Sequence, residues 1–253
     1  MTDRQGPDIP STDKVRQHWP HGPLAANLFG EEKNRCAKYL AKLFGYHLLK
    51  IGDLGHSDLL NTSSISHKIV MHFIDDNSRT DSCDFLGDQA FLPIASDSMD
   101  VVVLSHVLEF VDNPHKLLRE VERTLIGEGH LVIIGFNPWS LWGLWRALLF
   151  WRERPPWNGH FYGMARIKDW LTLLDLEFLE SERFFYRPPI KNSRWLQKLV
   201  FVESIGKHCW PFFGGVYVIL AKKRVVPLTP MKMRWRARRQ LIASGLVEPG
   251  SPV

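Results

Sequence analysis

The stretch from Gly87 to Pro138, GDQAFLPIASDSMDVVVLSHVLEFVDNPHKLLREVERTLIGEGHLVIIGFNP, limits the possible folds of this chain more than any other segment. Val101 to Leu104 are apolar on both faces, as a central strand of a parallel sheet must be. Pro114 to Ile126 then places Leu117, Leu118, Val121 and Leu125 on one helical stripe. Asp112 or Asn113 is available as a cap, Pro114 suits the first turn, and Gly127 suits the stop. His130 to Phe136 reads as a second buried strand. Strand, helix and strand in succession close through a right-handed crossover, so the block predicts half of a doubly wound α/β sheet. Ser105 and His106 at one strand end, and Asn137 and Pro138 at the next, mark its ligand edge.

The remaining segments extend the same pattern. From Glu31 to Phe44, the positions Cys36, Leu40, Leu43 and Phe44 fall on one helical face, and Gly45 suits the stop. Tyr46 to Ile51 and Lys68 to Ile74 read as strands, and the connection between them leaves room only for a short or irregular helix. Ile167 to Leu174 is predicted helical and Glu177 to Tyr186 extended. Residues 188–210 read as an insertion with a helix around Trp195 to Ile205, and Phe213 to Lys222 as the last strand. Asp97 and Asp100 frame the turn SDSMD, where Asx-type hydrogen bonds to the local backbone account for them.

Composition sets the outer bounds. A chain of 253 residues, 45% hydrophobic and 23% charged, suits one sizeable globular domain. The expected organisation is an extension over 1–30, a domain over 31–224 and a disordered basic tail over 225–253. From Lys222 to Val253, eight Lys or Arg residues face one acid, Glu248, so that segment alone exceeds the whole-chain charge of +5. The N-terminus lacks the apolar core of a secretory signal, and the apolar run Trp139 to Trp151 is too short to span a bilayer, so a cytoplasmic location and no transmembrane segment are expected. Cys36, Cys83 and Cys209 are odd in number and unpaired in spacing, which indicates neither a disulfide framework nor a zinc site, and no metal is expected.

From Gly87 to Pro138, and more loosely over residues 40–225, the chain resembles the class I S-adenosylmethionine (SAM) dependent methyltransferase domain of the methyltransferase type 11 kind. Within that family it looks most similar to the uncharacterised bacterial YafS-like group. The resemblance implies a Rossmann-like, doubly wound, seven-stranded α/β sheet with an antiparallel last strand slotted between its two predecessors. It also implies SAM as cofactor and methyl transfer as the reaction.

The implied site follows residue by residue. The family's first strand ends in an acid, an apolar residue and three alternating glycines. LLKIGDLGHSD places Gly52 at the first glycine, Leu54 and His56 at the others, and Lys50 at the acid. Gly52, Asp53 and Gly55 are thereby implied to hold the methionine part through a displaced turn. Asp75 and Asp76 lie about 20 residues further on, where an acid takes a ribose hydroxyl in doubly wound folds, although an ordinary polar turn fits them equally. Gly87, Asp88, Gln89 and Ala90, followed by Leu92 and Pro93, resemble the acid turn that receives adenine, with Asp88 accepting from the amino group and the turn around Gln89 reading the ring edge. Ser105 borders cofactor and acceptor. His106 is the one imidazole placed to act on an acceptor proton, and a structural histidine is the competing reading.

Two features stand outside that layout. Trp139, Trp142, Trp145, Trp151 and Trp157 crowd one stretch, with Trp142, Trp145 and Leu149 on one helical face. That stretch suits an aromatic lid over a small, apolar or planar acceptor, a segment resting on a membrane surface, or plain core packing. The basic tail suits contact with nucleic acid or an anionic membrane, or a solvated state. A monomer is expected. The eroded glycine motif also admits a non-catalytic interaction or regulatory module on a methyltransferase fold.

Overall fold

A computed structural model gives the arrangement of residues 23–52, 57–73, 83–149, 159–188 and 210–225. The strands are β1 (His47–Ile51), β2 (His67–Phe73), β3 (Phe85–Gly87), β4 (Met99–Ser105), β5 (Leu125–Phe136), β6 (Leu176–Phe184) and β7 (Val216–Lys223). The helices are α1 (Pro23–Leu40), α2 (Pro114–Thr124), α3 (Leu141–Leu149) and α4 (Met164–Leu173), with 3-10 turns at Ser57–Thr62 and Pro211–Phe213.

The strands form one seven-stranded sheet in the order β3-β2-β1-β4-β5-β7-β6. Neighbours from β3 to β5 pair in parallel, and β7 runs antiparallel to both β5 and β6. This is the Rossmann-like sheet that the sequence predicts, with the last strand between its two predecessors. Among its described residues, the connection between β1 and β2 holds a short 3-10 turn, in keeping with its length.

Strand alternation divides the core into two layers. Leu48, Val101, Val103, Val132 and Ile134 face α1 and the buried Trp142 of α3. Leu49, Val102, Leu104, Leu131 and Ile133 face Leu117, Leu118 and Val121 of α2 and Ile167 and Leu171 of α4. Asn113 caps α2, its side chain accepting from the Lys116 amide at 3.1 Å.

Several boundaries depart from expectation for identifiable reasons. α1 starts at Pro23, well before Glu31, and ends at Leu40, which leaves Phe44 exposed. Leu24, Ala25, Leu28 and Phe29 extend its buried face toward the N-terminus. α2 passes directly into β5 at Leu125 without using Gly127, because Lys223 Nζ gathers the carbonyls of Glu122 and Leu125 at 2.9 and 2.8 Å. Asp97 and Asp100 do not serve only their own turn. Asp97 accepts from Lys223 at 3.0 Å, and Asp100 accepts from the amides of Tyr46 and His47 at 3.0 and 2.9 Å, fixing the start of β1. Trp142 and Trp145 do not share an environment either: Trp142 stacks on Phe136 and meets Phe185 edge-on, whereas Trp145 is exposed. The insertion helix, Trp151, Trp157 and the basic tail lie outside the described residues.

Candidate active site

The chain leaves β1 toward β2 and β3 on one side, then returns to build β4 and β5 on the other. The gap between β1 and β4 is therefore the topological switch point, where doubly wound sheets bind ligands at the carboxyl ends of their strands. Gly52 lies there. Its φ of +99° suits glycine, and a Cβ at this position would stand 2.4 Å from Val107 Cγ2 and 2.7 Å from the Ser105 carbonyl oxygen. The two strand ends approach so closely that only backbone fits between them. Ser105, buried, forms the β4 side of that contact.

On the other side of β1, the loop after β3 carries Asp88 and Gln89. Asp88 is exposed and its Oδ1 accepts from the Ala90 amide at 2.8 Å, which fixes a tight turn. Gln89 Oε1 accepts from the Asp112 amide at 3.4 Å, joining this loop to the one before α2. Between the loops lies a cleft of about 200 Å³ lined by Asp88, Gln89, Ala90, Asp112, Asn113 and Lys116. The following loop is held by Arg123, which donates to the carbonyls of Leu92 and Ile94 and pairs with Glu120. Asp53, Leu54, Gly55, His56, Asp75 and Asp76 lie outside the described residues.

Lys50 sits two residues before Gly52, on the strand face that α1 covers, and is 2% exposed. Burial and the nearby Glu32 push the Cys36 thiol far up, and Lys50 pulls it partly back, so the ammonium lies within electrostatic reach of α1. Its side chain is shielded from solvent.

His106 follows β4 in the left-handed conformation, φ 52°, and is fully buried. Its Nε2 lies 2.9 Å from Glu32 Oε1 on α1, and its Nδ1 lies 3.6 Å from Glu109 Oε1. Glu109 Oε1 also accepts from the Phe136 amide at 2.8 Å. Gly135 makes room for this carboxyl, since a Cβ there would stand 2.9 Å from Glu109 Oε1 and 2.5 Å from the Tyr217 hydroxyl. Burial alone would lower the His106 pKa, but the two glutamates outweigh it and raise it from 6.5 to about 9. The two carboxyls thus favour the protonated imidazole. Among the described residues, no group of three or more His, Cys, Asp or Glu is arranged to hold a metal ion.

The motifs above assign no role to Glu109 or Glu32, yet both flank His106. The signal for Glu32 was its spacing: Leu28, Glu32, Cys36 and Leu40 recur every four residues, and all four are fully buried. A carboxyl in the middle of an apolar stripe requires a buried partner.

Comparison with known proteins bears on the fold and family. The methyltransferase domain model matches residues 62–133. The chain is 34% identical over 229 residues to the uncharacterized protein YafS of Escherichia coli (strain K12), covering 88% of each. Among solved structures, it resembles a SAM-dependent methyltransferase of Thermotoga maritima with a TM-score of 0.54 at 16% identity, covering 76% of this chain and 89% of that one. It also resembles a methyltransferase solved with the Haloferax volcanii methyltransferase activator Trm112, with a TM-score of 0.53 at 14% identity, covering 81% and 99%.

Proposed function

Because the chain belongs to the class I SAM-dependent methyltransferase family, alongside YafS, we propose that it transfers a methyl group from SAM to a small, apolar or planar acceptor. The observation that carries this reading is the contact of Gly52 with Ser105 and Val107 at the switch point, beside the cleft that Asp88 and Gln89 line. In this proposal the Gly52 backbone, kept free of a side chain by the close approach of Ser105 and Val107, receives the methionine part of the cofactor, and Asp88 offers a carboxylate to the adenine amino group. Asp53 and Gly55 complete the first loop in this proposal, and Asp75 or Asp76 takes the ribose.

SAM supplies the electrophilic methyl group on its sulfonium. The protein's contribution is alignment, which can supply about 7–11 kcal/mol without any acid or base. His106, enclosed by Glu32 and Glu109, which favour its protonated form, acts in this proposal as a fixed buried cation that orders the loop after β4, not as a base.

The rival reading, a non-catalytic module, rests on Lys50 at the position of the family's acid and on Leu54 and His56 at two of its glycines, the last two outside the described residues. The burial of Lys50 beside α1 speaks against the first of these grounds alone, because its side chain is not displayed to solvent. Thermal denaturation with added SAM tests the proposal: a ligand at a hundred times its Kd stabilises by about 2.7 kcal/mol, a readily measured rise in Tm. An unchanged Tm at saturating SAM favours the module.

A further inference from the structure

An apolar surface at the carboxyl rim of the sheet has no part in the chemistry proposed above. On α3, Leu141, Leu144, Trp145 and Leu148 recur at i, i+3, i+4 and i+7, and all four are exposed, while Trp142 enters the core. A helix lying on a protein core turns such a stripe inward. Here it faces out. Asn137 Nδ2 donates to the carbonyls of Phe212 and Gly214 at 2.8 and 2.9 Å, fastening the Trp210–Phe213 turn to the segment that leads into α3. Trp210 and Phe212 are exposed as well, at 62% and 66%. Phe136 pairs with Val216, and Ser105 with Ile134, so both features stand at the same end of the sheet as the candidate cofactor crevice.

Cations stand at this surface. α3 contains a single charged residue, Arg146, and the Arg183 guanidinium lies 5.3 Å from the centre of the Phe212 ring. Lys222, Lys223 and Arg224 stand at the other end of β7, paired with Glu128, Asp97 and Glu177, so the attraction to a polyanion at this face comes from Arg146 and Arg183. Exposed Leu and Trp at helical spacing, joined to cations, match the boundary of an anionic bilayer. Leucines enter the acyl region, indoles settle at headgroup level, and guanidinium groups meet phosphate. A nucleic acid would answer the charge but not the leucine stripe, and a second copy of the chain would cover the stripe while bringing its own cations against it.

We propose that α3 and the Trp210–Phe213 turn form a docking face for an anionic phospholipid bilayer. Docking does not depend on methyl transfer. The corollary that the acceptor is drawn from the bilayer rests on the proposed function, so binding is measured without SAM and its failure is separate from failure of that function.

The test uses the full chain in flotation with vesicles of phosphatidylcholine alone and of phosphatidylcholine mixed equally with phosphatidylglycerol. The expected result is binding to the mixed vesicles that weakens with salt and is weak on phosphatidylcholine alone. Leu144→Glu with Leu148→Glu is expected to lower that binding at least about tenfold, while Phe44→Glu, exposed at the opposite end of the sheet, leaves it intact. Circular dichroism establishes that both variants fold. The proposal is overturned by absence of binding to mixed vesicles, by undiminished binding in the folded double variant, or by a stable homodimer that the double variant dissolves while vesicles go unbound.

Discussion

Glu32 Oε1 and His106 Nε2 lie 2.9 Å apart across 74 residues of sequence, with neither side chain exposed to solvent. This contact ties α1 to the loop after β4, and through Glu109 to the end of β5. Removing one partner of a buried pair leaves the other uncompensated, so Glu32→Ala is expected to lower unfolding free energy by about 3–5 kcal/mol. Urea denaturation measures it; a loss well below 1 kcal/mol would show that the pair contributes little.

The same contact makes stability depend on pH. His106 has a folded-state pKa of about 9 against an ordinary 6.5, so between those values the folded protein holds a proton that the unfolded chain has released. Its contribution, on the order of 3 kcal/mol, is fully present below pH 6.5 and is lost as pH rises through about 9. Unfolding measured across that window is expected to show stability declining with rising pH, and Glu32→Gln is expected to flatten the decline.

At the switch point, Gly52→Ala is expected to destabilise by about 1–3 kcal/mol, because a side chain at φ +99° is strained and the new Cβ meets the Ser105 carbonyl. Cofactor affinity is expected to fall with it. Denaturation and ligand titration of the same variant read the two effects separately.

Two tryptophans three residues apart should behave oppositely. Trp142 stacks on Phe136, meets Phe185, and donates from Nε1 to the Arg187 carbonyl at 2.9 Å, so Trp142→Ala is expected to cost about 3–5 kcal/mol. Trp145 is exposed, and its replacement by Ala is expected to change stability by less than about 0.5 kcal/mol. Paired Tm measurements decide the matter.

Local pattern explains which elements were legible in the sequence. Val101 to Leu104 announced a central strand because both faces are apolar, and α2 announced itself through its stripe, its Asn113 cap and Pro114. What escaped depends on partners distant in the chain. Glu32 stands in the apolar stripe of α1, but its partner His106 is brought to it only by the fold. Asp100 reads as a turn residue, yet it binds the backbone at the start of β1. β3 has three residues, too few to display an alternation. For the candidate site, Gly52, Asp88, Gln89 and Ser105 come from the family resemblance, while the close approach of Gly52 to Ser105 and the enclosure of His106 depend on the sheet bringing β1, β4 and α1 together.

The central claim, that the carboxyl rim of β1 and β4 holds SAM, is tested most directly by calorimetric titration of the full chain and of Asp88→Ala with SAM. Saturable binding to the parent chain is expected, with a Kd raised roughly one to two orders of magnitude in the variant by loss of a charge-assisted hydrogen bond. No saturable heat with the parent chain, or equal Kd values for the two proteins, would contradict it.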